Sequence, residues 1–167
     1  LYVRSGSEYR TLEDSLDAAI AHTAFFRFYA RHIELDRSFK PGHYVLEPGM
    51  NIVQVARMLK LGLQTPVRVT INNVRTPAQL AGKLARQIEA DSATIVGALT
   101  DPATARKAGF DSVTLFSMFI PDTYEFYWTV SPAQFIERMR REYDRFWTPQ
   151  RDAKRQRSGL SRLEVMT

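Results

Sequence analysis

"YVLEPGMNIVQVARML", residues 44–59, changes period halfway along. Tyr44–Leu46 read as a short strand. Pro48-Gly49 then mark a turn, where glycine can take backbone angles that other residues avoid. From Ile52 onward the apolar residues recur four apart, Val55 with Leu59, which predicts a helix over about Ile52–Leu61. Two other segments share the pattern: "LYVRSGSEYRTLEDSL" (1–16) and "VTINNVRTPAQLAGKL" (69–84). Their matching pairs are Leu12 with Leu16 and Leu80 with Leu84, so each helix has one face that packs back on a strand. Gly6 and Gly49 fall at the same offset. In the third copy that offset is Val74, and Asn72-Asn73 take the turning role; a strand is expected at Val67–Ile71.

Thr23 is expected to cap a helix in "AHTAFFRFYARHIELD" (21–36), whose expected apolar face is Phe25, Phe28, Tyr29, His32 and Ile33. Pro77 opens a helix expected to run to about Asp91, and 92–118 reads as short helices broken at "TDP" and "KAGFD". Ser131-Pro132 starts the clearest helix, with Phe135, Met139, Tyr143 and Phe146 on one face. A charged helix follows and ends near Gly159. Ser161 caps a final helix with Glu164 at its third position. The fold class is α+β: a small α/β module, then a mostly helical part. The boundary falls near 72–76, giving regions 1–74 and 75–167.

The chain has 167 residues, 44% of them hydrophobic, enough for one ordinary domain or two small ones. Cysteine is absent, which excludes disulfides and thiolate chemistry and fits a periplasmic or a cytosolic home. No stretch approaches the length of a membrane span, and no signal peptide opens the chain. A strand at residue 1 and a helix that has just begun at Thr167 read as the ends of an excised piece. Of the +5 net charge, residues 131–167 supply most, with nine Lys/Arg against five Asp/Glu. Such a tail suits an anionic partner or, as the plainer alternative, a solvated helix surface. No run matches a nucleic-acid motif.

"FIPDTYEFYW" (119–128) crowds five rings and two carboxylates into ten positions. Pro121-Asp122-Thr123 reads as a turn between short strand edges at Phe119-Ile120 and Phe126-Tyr127-Trp128. The rings belong either to a core or to the wall of a groove. A groove of rings beside polar groups suits a carbohydrate, whose faces are apolar and whose edges carry hydroxyls. Asp122 and Glu125 also admit a glycosidase-like acid and base, though pairs at this spacing are common on surfaces. His22, His32 and His43 match no local metal motif. Neither a glycine-rich phosphate loop nor a nucleophile elbow occurs.

With Phe119-Ile120-Pro121-Asp122-Thr123-Tyr124 the chain resembles the YceG-like endolytic murein transglycosylases, whose signature holds P-D-T-Y after apolar residues. "KPGHYVLEPGMNIVQVARMLKLG" (40–62) is similar to the family's LysM-like module, and "QTPVRVTINNVRTPAQLAGKLARQIEADS" (64–92) to its Bacteroidetes-type members. One departure is Phe116-Ser117, where many members have Glu-Gly. The resemblance covers essentially the whole chain. It implies cleavage of the β-1,4 bond from N-acetylmuramic acid to N-acetylglucosamine, leaving 1,6-anhydro ends, by one glutamic acid. That glutamate belongs to a segment following a stretch like "GLSRLEVMT", so it lies beyond Thr167, and Glu164 does not inherit its role. The resemblance further implies no metal or organic cofactor and a parent anchored by one transmembrane helix at the periplasmic face of the inner membrane. Its implied partners are glycan strands and cell-wall synthesis proteins, not nucleic acid. Asp122, Tyr124, Glu125, Tyr127 and Trp128 become the candidates for binding or bracing the glycan. No lysine-centred constellation for pyridoxal phosphate is present.

Overall fold

Leu1 and Tyr44 exchange two bonds, the terminal amine to the Tyr44 carbonyl and the Tyr44 amide to the Leu1 carbonyl, each 2.8 Å. They extend an antiparallel ladder of β1 (Tyr2–Val3) with β2 (Gly42–His43), in which Tyr2 faces His43 and Val3 faces Gly42. A computed structural model describes the chain apart from residues 18, 21, 22, 73 and 167. The expectations for His22 and Asn73 lie outside the described residues. The described residues form two compact units, Leu1–Val67 with Phe126–Thr129 and Arg68–Glu125 with Val130–Thr167.

In the first unit, α1 (Tyr9–Asp17), α2 (Thr23–His32), α3 (Leu35–Ser38) and α4 (Ile52–Leu61) complete the elements. The expected span of α4 matches to the residue. Asn51 and Gln54 form a reciprocal capping box, each side chain meeting the other's backbone N–H at 2.9 Å. Gly62 ends the helix in the left-handed region at φ 69. Leu12, Leu16, Val55 and Leu59, the repeat residues, are buried together with Phe26, Leu35 and Tyr44. Burying each such side chain fully stabilises by roughly 1.5–3 kcal/mol before entropy is counted.

Two expectations in this unit are corrected. The strand lies at Gly42–His43, not Tyr44–Leu46, because its register is set by β1, whose partner residues are 42 and 43. The buried face of α2 is Phe26 and Ala30, with Tyr29 and Ile33 half-buried, while Phe25, Phe28 and His32 are exposed. With apolar residues almost all round, "AFFRFY" offers several faces, and packing on α4 and α3 selects the one where Ala30 permits close approach.

The second unit holds β3 (Val67–Ile71), α5 (Pro77–Leu84), α6 (Ser92–Thr100), α7 (Pro102–Lys107), a 3-10 turn (Thr114–Met118) and β4 (Asp122–Phe126). Then come α8 (Pro132–Phe146), α9 (Pro149–Ser158) and α10 (Arg162–Met166). β3 falls where expected and pairs with β4 in a two-stranded sheet. Val67 and Phe126, at the ends of these strands, group with the first unit. The core gathers Leu80, Leu84, Ile95, Leu99, Leu115, Met118, Phe135 and Met139, all nearly inaccessible. The helix expected to reach Asp91 stops at Leu84. Asp91 is extended, at φ −74 and ψ 162, because its carboxylate caps α6 through the Thr94 amide at 2.7 Å.

On α8 the arginines of the basic tail run in short ladders. Arg138 and Glu142 pair at 2.6 Å, Arg140 and Asp144 at 2.9 Å, and Arg141 and Glu137 at 2.8 Å. Arg155 and Arg162 both meet Asp152. These pairs fit the plainer reading of the tail as a charged helix surface. Among the described residues no helix is long and apolar enough to cross a membrane. Nor do any described His, Asp and Glu cluster as a metal site would require.

Candidate functional site

Pro121 has no N–H to offer a ladder, so it stands just before β4, where none is lost. The expected turn at Pro121-Asp122-Thr123 is therefore replaced by a strand starting at Asp122. The Thr123 hydroxyl bonds that of Thr70 across from it at 2.9 Å. Phe119 and Ile120 are not strand. Instead, the Phe119 ring stacks on Phe135 of α8 at 5.9 Å and meets Phe116 edge-on at 5.3 Å.

From Tyr124 onward the side chains alternate with period two. Tyr124, Phe126 and Trp128 are buried, whereas Glu125 and Tyr127 are exposed, and Asp122 is exposed at the strand's start. A core and a surface thus share one stretch. The pleat also sends Asp122 and Glu125, three apart, to opposite faces, so the strand does not bring them together as an acid–base pair.

Tyr124 lies in the second unit, and its hydroxyl donates to the Ile120 carbonyl at 2.8 Å. Burial first, then the charges of Asp122 and Glu142, push its pKa up to about 12. It therefore remains a neutral donor that ties the loop 120–124 shut. Asp122 accepts from the neighbouring Thr123 amide at 2.7 Å. The P-D-T-Y residues thus brace their own loop and leave the carboxylates at the surface.

Tyr127 and Trp128 belong to the first unit. The buried Trp128 ring meets Tyr2 edge-on at 5.0 Å, and Tyr2 stacks on His43 at 4.5 Å with only 21° between planes. Thr65 holds His43 twice, its amide bonding the His43 carbonyl at 2.8 Å and its carbonyl lying 3.0 Å from Nδ1. Neither Tyr2 nor His43 stands out in the sequence. The signal that finds them is the 2-to-43 register, which requires knowing that the first repeat pairs with the residues just before the second.

Among the described residues, each carboxyl whose pKa is clearly displaced is held low. The leading causes are hydrogen bonds: from the Thr94 amide on Asp91, the Thr104 side chain on Asp101, the Thr114 amide on Asp111, Arg162 on Asp152 and Ser161 on Glu164. All are caps, turns or ion pairs, and all favour the ionised form.

A comparison with protein-family models matches the YceG-like family over residues 1–167. No curated protein matches the chain. Among solved structures, the 2.6 Å crystal structure of a yceG-like protein from Listeria monocytogenes aligns with a TM-score of 0.52 at 21% identity. That alignment covers 96% of this chain and 59% of the Listeria chain, so the chain spans just under three fifths of that protein's length. The likeness is one of fold. The family match takes in every repeat, the P-D-T-Y loop and the charged helices, and the chain belongs to the YceG-like family.

Proposed function

We propose that this chain is part of an endolytic murein transglycosylase, in which it binds and braces the glycan while the acid that cleaves it lies outside residues 1–167. The observation that carries the proposal is the family match along the whole chain, P-D-T-Y loop included. In the proposed reaction a glutamic acid protonates the oxygen leaving with N-acetylglucosamine. The resulting carboxylate then takes the proton of the muramyl C6 hydroxyl as that oxygen attacks C1. The glycosidic bond breaks, a 1,6-anhydro ring forms, and no water is consumed.

Such an acid needs a pKa raised toward the working pH. The displaced carboxyls here are all lowered, Glu164 among them, which disfavours each as the acid. Asp122 and Glu125 are exposed and point apart, which suits contact with sugar hydroxyls better than shared proton transfer. In the parent we place the substrate at the periplasmic face of the inner membrane, with the membrane anchor and cell-wall synthesis partners beyond these residues.

The test uses the protein extended past Thr167 through its downstream glutamate, incubated with murein sacculi. Mass spectrometry should find muropeptides with 1,6-anhydromuramyl ends. Hydrolysed reducing ends, or no release at all, would overturn the assignment.

A further inference from the structure

We propose that the Tyr2–His43 pair on the β1–β2 ladder is a stacking platform for an N-acetylated amino sugar of the glycan strand. This rests on the murein reading above and assigns it a site that the P-D-T-Y loop does not include. Tyr2 is 57% exposed although it is aromatic and sits on a strand that pairs with β2. One face of its ring is backed by His43, and the buried Trp128 fixes it from the side. Aromatic rings held this way present a broad apolar face without further loss of rotamer freedom, which lowers the cost of binding.

A carbonyl oxygen only accepts, so the bond between His43 and Thr65 places the proton on Nδ1. Nε2, the other ring nitrogen, has no hydrogen-bond partner among the described residues. Gln64 lies across Gly42 so closely that a Cβ there would meet its Cδ at 2.4 Å, and its Oε1 is 3.4 Å from the Thr129 hydroxyl. Glycine at 42 is thus what leaves room for this carboxamide. The exposed apolar ring of Tyr2, with His43 stacked behind it, suits the C–H face of an acetamido sugar, whose hydroxyl and N–H edges remain free to meet polar groups. The exposed Tyr127, next to Trp128, adds a second ring in the same unit.

The experiment is sedimentation of the chain with insoluble murein sacculi, alongside amide NMR titration with β-1,4-linked N-acetylglucosamine tetramer. Tyr2→Ala and His43→Gln should each weaken sacculus binding about tenfold, the scale of one lost contact worth about 1.4 kcal/mol. Tyr2→Trp should retain it, and tetramer should shift the amides around residues 2, 43 and 128. If the unaltered chain sediments and Tyr2→Ala sediments equally, the platform is overturned and the murein reading stands. If the unaltered chain does not sediment, the binding role and the platform fall together. Should His43→Gln melt early, Tyr2→Ala decides alone, because Tyr2 is an exposed side chain.

Discussion

Tyr124 is the residue at which bracing and surface display meet. Its hydroxyl holds the Ile120 carbonyl, so Tyr124→Phe removes a partly buried bond while keeping the ring. We expect a loss of about 1 kcal/mol in denaturant titration, the usual worth of such a bond; an unchanged midpoint would show that the loop does not depend on it. Asp122→Ala removes only a bond to the adjacent exposed amide and should cost less. Gly109 is a second constrained residue. At φ 80 it takes a conformation that side chains avoid, and a Cβ would come within 2.7 Å of Arg140 Nη1. That arginine bonds the Ala108 carbonyl at 2.6 Å and lies over Phe110 at 5.4 Å. Gly109→Ala should therefore destabilise by more than about 1 kcal/mol, through strain and through the displaced arginine together. Equal melting of Gly109→Ala and the unaltered chain would contradict this.

At the scale of the element, α8 makes the sharpest prediction. Met139 is fully buried and Phe146 only partly, so Met139→Ala should cost roughly 2–5 kcal/mol and Phe146→Ala less. Arg141→Ala, from an exposed pair, should cost under about 0.5 kcal/mol. Chemical denaturation that ranks Arg141 above Met139 would reject this packing. Elements with a cap and a single apolar stripe, such as α4 and α8, were legible in the sequence. So were the six repeat residues, all of which are buried. Where several faces are apolar, as in α2, periodicity does not choose, and the neighbouring helices do. The strand at 42–43 and the contact of Tyr2 with His43 depend on pairing over forty residues, which no local pattern encodes. For the same reason the P-D-T-Y loop was legible as a motif but not as a strand, since β4 is specified by its partner β3.

Across the whole molecule, depressed carboxyl pKa values link the fold to pH. Asp91, Asp101, Asp111, Asp152 and Glu164 are ionised more readily than ordinary carboxyls because caps and arginines hold their charged forms. A group whose folded pKa is lowered contributes stability that is fully present above its unfolded value, about 4, and is lost as pH falls through the lower folded value. Thermal melts should thus be flat from neutral pH down to about 5 and fall below about 4. Asp91→Asn and Asp152→Asn should blunt that acid-side loss, and a steeper acid-side fall in the variants would reverse the sign and contradict it.

The same low values shape the functional account, since carboxylates held in the ionised form are poor proton donors at neutral pH. The chain is assigned the binding and bracing of a glycan, not the proton transfer that breaks it. The most direct measurement is to incubate murein sacculi with residues 1–167 and search the released material by mass spectrometry. No 1,6-anhydromuramyl ends are expected above a protein-free control; their appearance would place the catalytic acid within these residues and contradict the assignment.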